Sequence, residues 1–170
     1  LYIRGGFYQM QSPAKVYNLE GEPYNWVTVR NYPGEKPVFD GTDLSGENTM
    51  ILFSQVRYVK LQGIHVQNFQ GNYSVSIADP VHFKYSDSSV TDVAGPGLWL
   101  TGGQFVDVRR VTHIRTNSPY IDAGPGNPLP SNTAHESMDF FGTRDFEVAD
   151  NILIEGDKEG INLIGSNRRG

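Results

Sequence analysis

The stretch Glu136-Ser-Met-Asp-Phe-Phe-Gly142 returns as Glu159-Gly-Ile-Asn-Leu-Ile-Gly165, with every position displaced by the same interval along the chain. A related phrase, Pro96-Gly-Leu-Trp-Leu-Thr-Gly102, occurs earlier in the chain. A fixed short period of this kind is typical of a chain that stacks one turn on the next, so that each turn covers its neighbour's apolar edge. The repeat therefore predicts a stacked coil.

The repeated phrase also predicts which side chains point inward, because alternate residues of a strand point to opposite faces. The inward row at one corner of the turns is Leu98, Met138 and Ile161. The outward row between them is Trp99, Asp139 and Asn162.

Two further short runs follow each phrase, and both alternate apolar with other residues, which is the period of a strand. The second runs are 58–61, 105–108 and 146–148, and the third runs are 64–66, 111–114 and 152–154. No stretch of ten or more residues has the apolar spacing of a helix, and Gly, Asn, Asp or Pro interrupts the chain every eight to ten positions. We expect an all-β fold with three short strands per turn.

Three segments carry a family resemblance. Trp26-Val-Thr-Val-Arg-Asn-Tyr-Pro-Gly-Glu-Lys-Pro-Val-Phe-Asp-Gly41 looks like an opening turn of right-handed parallel β-helix proteins, and the Gly-Gly-Phe-Tyr8 before it is similar to their usual start. Phe146-Glu-Val-Ala-Asp-Asn-Ile-Leu-Ile154 resembles their second and third strands, with Asn151 at the corner where they stack asparagines. The chain thus resembles the pectate-lyase-like, carbohydrate-active β-helix family over nearly its whole length. The resemblance implies one right-handed parallel β-helix domain over residues 1–170, which binds a polysaccharide or oligosaccharide across its first-strand sheet.

Composition narrows the class of partner and the location. The 170 residues are 38% hydrophobic and carry a net charge of −5, and no basic run exceeds two residues, which argues against a nucleic-acid surface. The apolar runs are too short to span a membrane. With no cysteine, the chain suits a bacterial protein that is secreted, either extracellular or periplasmic. Because both ends read as open turns, we expect a piece of a longer coil whose ends are covered by further turns or a partner chain.

Two segments interrupt the regular period, residues 69–93 and 117–134. Both are predicted to be loop insertions between the third strand of one turn and the first strand of the next, so both enter the same edge of the coil. Loops that leave a repeat scaffold on one side tend to build its binding face. The first-strand row beside them is therefore the predicted cleft floor.

On this floor the period stacks Glu136 with Glu159 and Asp139 with Asn162, about 4.8 Å apart along the coil. His135 falls over Lys158, which Asp157 precedes. Calcium takes several oxygen ligands, so a Ca²⁺ site is one interpretation of these acids, with Glu136 and Asp157 as its metal ligands beside Asp139 and Glu159. The alternative interpretation is a set of solvated turn residues.

Three functions fit such a floor, and a polysaccharide lyase is favoured. A lyase acting on a chain that contains uronic acid would use Lys158 as the base, with His135 or Lys84 in its place. A glycoside hydrolase would use Asp139 and Glu159 as its pair of carboxyl groups. A noncatalytic binder would stack sugar rings on Trp99 and the loop tyrosines. The alternative interpretation of Trp99 is that residues 69–93 cover it. The predicted substrate-binding residues are Trp99, Asn162, His82 and Lys84.

Overall fold

The structure is a computed structural model that describes residues 1–117, 136–156 and 160–165. These residues form sixteen β-strands and contain no helix, so the prediction of an all-β fold is confirmed. The strands in the first half are β1 Tyr2–Ile3, β2 Gly6–Gln9, β3 Ala14–Tyr17, β4 Val27–Asn31, β5 Pro37–Asp40, β6 Thr49–Ser54, β7 Arg57–Gln62 and β8 His65–Phe69. The strands in the second half are β9 Tyr73–Ala78, β10 Val81–Val93, β11 Leu98–Thr101, β12 Gln104–Thr116, β13 Met138–Phe141, β14 Arg144–Ala149, β15 Ile152–Ile154 and β16 Ile161–Ile164.

The repeated phrase forms a six-stranded parallel sheet in the order β16-β13-β11-β9-β6-β3. We call it the first-strand sheet. In its register Leu98 lies opposite Met138, and Met138 lies opposite Ile161. Trp99, Asp139 and Asn162 occupy the next position of the same three strands. The predicted register of the repeat is therefore confirmed.

The second and third runs form a ten-stranded parallel sheet, which we call the long sheet. The structure differs here from the prediction of three separate short strands per turn, because β10 and β12 each continue through both runs as one strand of 13 residues. Residues 81–86 of β10 pair with β7, and residues 89–93 pair with β8. Between them Asp87 has a φ of 52°, as Arg110 does in β12. A left-handed residue at the boundary of the two runs thus bends each strand without ending it.

The core lies between the two sheets and consists of the inward residues of successive turns. Leu98, Leu100, Met138 and Phe140 are all fully buried, and Phe83 and Val108 meet them from the long sheet. Burying such a side chain stabilises the fold by about 1.5–3 kcal/mol relative to leaving it in water. The core therefore runs as a continuous row along the stacked turns.

The predicted loop at residues 69–93 is wrong, because this range forms most of a regular turn, β9 and β10. Along the chain, β9 precedes its partner β11, and β10 precedes its partner β12, by the same number of residues. That number also separates the phrase at 136–142 from its copy. The sequence pattern hides this turn because it lacks a glycine at the corner after its first strand. Asp79 takes the left-handed conformation there with a φ of 48°, where Gly102 and Gly142 have 63° and 65°.

The second predicted insertion, residues 117–134, lies almost wholly outside the described residues. The register shows where the extra length of this turn falls. Leu98 pairs with Met138, and Met138 pairs with Ile161. The number of residues from Leu98 to Met138 is much larger than the number from Met138 to Ile161, so the additional residues lie between β12 and β13.

Charged and amide side chains join the turns at the bends. The Arg110 guanidinium pairs with Asp87 at 2.5 Å, one turn earlier, and the Arg115 guanidinium pairs with Asp92 at 2.5 Å. At the predicted asparagine corner, the Asn151 side chain accepts a hydrogen bond from the Val111 amide at 2.8 Å and donates to the Val108 carbonyl at 3.0 Å. The interpretation of Asn151 as a corner residue is therefore supported.

Candidate functional site

The outer face of the first-strand sheet brings two carboxyl groups and one amide together. Asp139 lies opposite Asn162 in the register of β13 and β16. The Asn162 amide donates a hydrogen bond to Oε2 of Glu136 at 2.8 Å, and the Glu136 carboxyl hydrogen-bonds to Asp139. We call Glu136, Asp139 and Asn162 the carboxyl cluster.

The carboxyl cluster is secluded from water, although Asp139 is on the face opposite the core. Its neighbours Met138 and Phe140 point inward, yet Asp139 has an exposed fraction of 0% and Glu136 only 9%. Asn162 is half-buried and is the most open of the three. The prediction of an outward row is thus correct for the strand register, but Asp139 is not a solvated turn residue.

Seclusion changes the acidity of Asp139. Burial, the hydrogen bond with the Glu136 carboxyl and the nearby Glu136 charge together raise the pKa of Asp139 from its ordinary value of 3.8 to about 7. Hydrogen bonds from Asn162 and from the Glu136 backbone act in the opposite direction. With a pKa of about 7, the Asp139 carboxyl group still carries its proton in a large fraction of the molecules at neutral pH. This pair is able to donate that proton.

Trp99 packs against the turns on either side of it. Its indole lies between Tyr73 and Phe141, with ring centroids 4.5 and 4.4 Å away and interplanar angles of 33° and 38°. These two rings belong to the turns before and after it, so both faces of the indole pack against protein. The structure thus favours the interpretation that residues 69–93 cover Trp99 over the interpretation as a sugar platform, and Trp99 packs the turns together.

His82 and Lys84 are not beside Asp139, because both belong to β10 of the long sheet. His82 stacks between Tyr58 and Phe105 at centroid distances of 4.4 and 4.5 Å. The Lys84 ammonium lies 3.7 Å from the Asp107 carboxylate. The structure therefore does not bring these two predicted substrate-binding residues together with Asp139, since the second strand of a turn lies past a corner from the first.

Four predicted site residues, His135, Asp157, Lys158 and Glu159, lie outside the described residues. The predictions of a Lys158 base and of a second carboxyl group from Glu159 stay predictions. Within residues 1–117, 136–156 and 160–165 no group of three His, Cys, Asp or Glu side chains is placed to hold a metal. Because Asp157 and Glu159 belong to the predicted ligand set, the calcium site also stays a prediction.

Reasoning from the sequence misses Trp26, Tyr58, Lys60 and Phe105, which form one outer patch of the long sheet with His82 and Lys84. Trp26 contacts Tyr58 and His82 through its ring, and the Lys60 and Lys84 ammonium groups lie 5.2 and 5.6 Å from its centroid. A signal is present in the sequence, since Tyr58-Val-Lys60 is followed one turn later by His82-Phe-Lys84.

A cavity of about 310 Å³ opens at the edge where third strands lead to first strands. Its lining comes from residues 41–48 and 70–72, and it includes the side chains of Glu47, Asn48 and Asn72. The Asn72 amide donates to the Asn48 side-chain oxygen at 3.1 Å, which ties the two lining segments together. This edge is the one on which the insertions are predicted.

Among the described residues, no helix has the length and apolar character needed to cross a membrane. Comparisons of the chain with models of protein families, with curated proteins and with solved structures give no match.

Proposed function

We propose that this protein is a right-handed parallel β-helix that cleaves a polysaccharide by glycoside hydrolysis. Two observations support the β-helix: the strands of both sheets pair in parallel with the equivalent strands of the next turn, and left-handed residues recur at the corners. The resemblance of residues 26–41 and 146–154 to that family supports the same fold. Since one scaffold hosts many chemistries, the reaction has to be argued from the site.

The raised pKa of Asp139 is the observation that carries the proposed reaction. A carboxyl group that keeps its proton near pH 7 is suited to act as a general acid, because it can protonate the oxygen of a leaving sugar. Asn162 holds Glu136 in place by a hydrogen bond of 2.8 Å, and Glu136 in turn holds the proton on Asp139. In this scheme Asp139 holds the proton, and Glu136, which is slightly exposed where Asp139 is fully buried, passes it to the substrate.

Hydrolysis also needs a second carboxyl group, which acts as a base toward water or as a nucleophile. The two groups of a glycosidase stand about 5–9.5 Å apart. Glu136 is too close to Asp139 for this task because their carboxyl groups hydrogen-bond to each other. Glu159 is predicted one turn away and is the proposed second group. The proton held on Asp139 would reach the glycosidic oxygen through Glu136, and Glu159 would take a proton from the attacking water.

Elimination, the reaction favoured by the sequence, has less support from the geometry. A lyase must accept a uronate carboxylate beside its reacting carbon and neutralise it with a cation. The carboxyl cluster is acidic and would repel a uronate, and the proposed base Lys158 lies outside the described residues. An assay that follows both reducing ends and unsaturated products distinguishes a lyase from a hydrolase.

The test is cleavage of a panel of neutral and acidic polysaccharides, followed by both new reducing ends and ultraviolet absorbance from unsaturated products. The proteins compared are the unmodified chain, Asp139→Asn, Glu136→Gln and the matched control Asp43→Asn, which removes an exposed carboxylate elsewhere. We expect reducing ends without absorbance, about a hundredfold lower activity in Asp139→Asn, and no change in Asp43→Asn.

Three outcomes would overturn the proposal. Absorbance that rises with the reducing ends would show elimination and make Lys158→Ala the next variant. Full activity in Asp139→Asn would remove this residue from the chemistry. No cleavage of any member of the panel would favour a binding protein. A thermal melt of each variant separates loss of activity from loss of folded protein.

A further inference from the structure

Three rings on the outer face of the long sheet form a face-to-face stack. Tyr58, His82 and Phe105 belong to successive turns, with centroid distances of 4.4 and 4.5 Å and an interplanar angle of 10° at both contacts. Each of them has a left-handed φ, between 51° and 58°. The inner faces of this stack are covered by the neighbouring rings, so mainly ring edges are left for a ligand.

Trp26 lies beside this stack and is oriented differently. Its plane is at 80° to Tyr58 and 73° to His82, with centroids 5.5 and 6.3 Å away. The Tyr58 and His82 centroids are 4.4 Å apart, and an indole on the end of the stack would be much closer to one of them than to the other. Because the two distances are similar, the indole lies along the side of the stack. Nε1 donates a hydrogen bond to the Pro23 carbonyl at 3.0 Å, which fixes the ring. Trp26 is thus a fixed, half-buried aromatic surface outside the stack.

Two lysines lie over this indole. The ammonium groups of Lys60 and Lys84 are 5.2 and 5.6 Å from its centroid, and the two residues are directly opposite each other in the register of β7 and β10. Like charges opposite each other on neighbouring strands destabilise a sheet. Lys84 has Asp107 at 3.7 Å, whereas Lys60 forms no salt bridge within the described residues. A bound anion between the two ammonium groups would relieve their repulsion.

We propose that Trp26, Lys60 and Lys84 form a binding site for a polysaccharide that bears carboxylates. The carboxylate of a sugar residue lies between the two ammonium groups, and its ring packs against the part of the indole that the lysines leave uncovered. The protein has a net charge of −5, so this cationic pair is a local feature and not part of a generally basic surface. The site is on the long sheet, separate from the carboxyl cluster, and does not rest on the proposed hydrolysis.

The test is the affinity for polygalacturonate, measured by calorimetry in a background variant that a prior assay shows not to cut this polymer, with Asp139→Asn as the first candidate. The double variant Lys60→Gln/Lys84→Gln is expected to bind about tenfold more weakly. The matched control is Lys15→Gln/Lys36→Gln, which removes the same charge from exposed positions elsewhere and should bind as the background does. Trp26→Phe, which keeps an aromatic ring, should weaken binding by a smaller factor.

Two competing ligands separate sugar recognition from plain charge. Fully methyl-esterified polygalacturonate should bind poorly, because it has the same sugar but no carboxylate charge, and polyglutamate should bind poorly because it has the charge but no sugar ring. Equal binding of polyglutamate, equal weakening by both double variants, or full affinity in Lys60→Gln/Lys84→Gln would each overturn the proposal. Cleavage by the unmodified chain is scored separately, so the two proposals fail independently.

Discussion

Replacing Asp139 with asparagine should alter how the stability of the protein depends on pH. The carboxyl group has a pKa of about 7 in the folded protein and an ordinary value of 3.8. Between these values the folded protein holds a proton that the unfolded chain has released. The contribution of Asp139 to stability is therefore fully present below pH 4 and is lost as the pH rises through 7.

The size of this effect follows from the same two pKa values. One proton changes the folding equilibrium by up to tenfold for each pH unit. Over roughly three units, from 3.8 to about 7, the upper bound is on the order of a few kcal/mol. Asparagine has nearly the same shape, can hydrogen-bond to Glu136 and does not titrate. Asp139→Asn should therefore match the unmodified protein near pH 4 and be the more stable of the two at pH 8.

The measurement is urea unfolding at half-unit steps from pH 4 to pH 8, compared as the difference between the two proteins. The two proteins have to be compared because histidines that burial shields from water change the stability with pH in the direction opposite to Asp139. Burial lowers the pKa of His65 to about 4 and that of His113 to about 3, so both destabilise the folded protein as the pH falls below 6.5. A difference that stays constant from pH 4 to pH 8 would refute the reasoning, and Asp43→Asn should give that flat result.

Three further predictions concern the packing, the corners and acid sensitivity. Leu98→Ala should lower the free energy of unfolding by about 2–5 kcal/mol in urea titrations, because this side chain is fully buried. Gly102→Ala should cost more than Gly142→Ala in the same titrations. The two glycines have similar φ values of 63° and 65°, but a new Cβ would clash with Oδ1 of Asp79 at Gly102 and would meet no atom within 4 Å at Gly142. His65→Gln should reduce the loss of stability between pH 6.5 and pH 4, which a series of thermal melts would measure.

The strands and their pairing are predictable because both follow from local chemistry repeated along the chain. The phrase at 136–142 and its copy at 159–165 place Met138 over Ile161 and Asp139 over Asn162, as the structure has them. The turn at 73–93 escapes the pattern because Asp79 replaces the corner glycine, although the backbone there is left-handed as at the glycine corners. Recognition from sequence thus fails where another residue adopts the left-handed conformation.

The candidate site is predictable only in part. The sequence points to Asp139 and Asn162, but it also groups His82 and Lys84 with them as substrate-binding residues. Which side chains meet across turns depends on how far each strand lies from a corner of the coil. The spacing of residues along the chain does not give that distance. The packing of Trp99 between Tyr73 and Phe141 is hidden from the sequence for the same reason.

The sequence by itself determined the period, the inward row and the all-parallel strand order, because backbone pairing and apolar burial repeat with every turn. Only the tertiary structure decided the chemistry of the carboxyl cluster. The Asn162 amide reaches Glu136 from a neighbouring turn, and the surrounding turns remove Asp139 from water. A pKa depends on the solvent and the charges around a group, and those are set by residues that are distant in the chain but close in space.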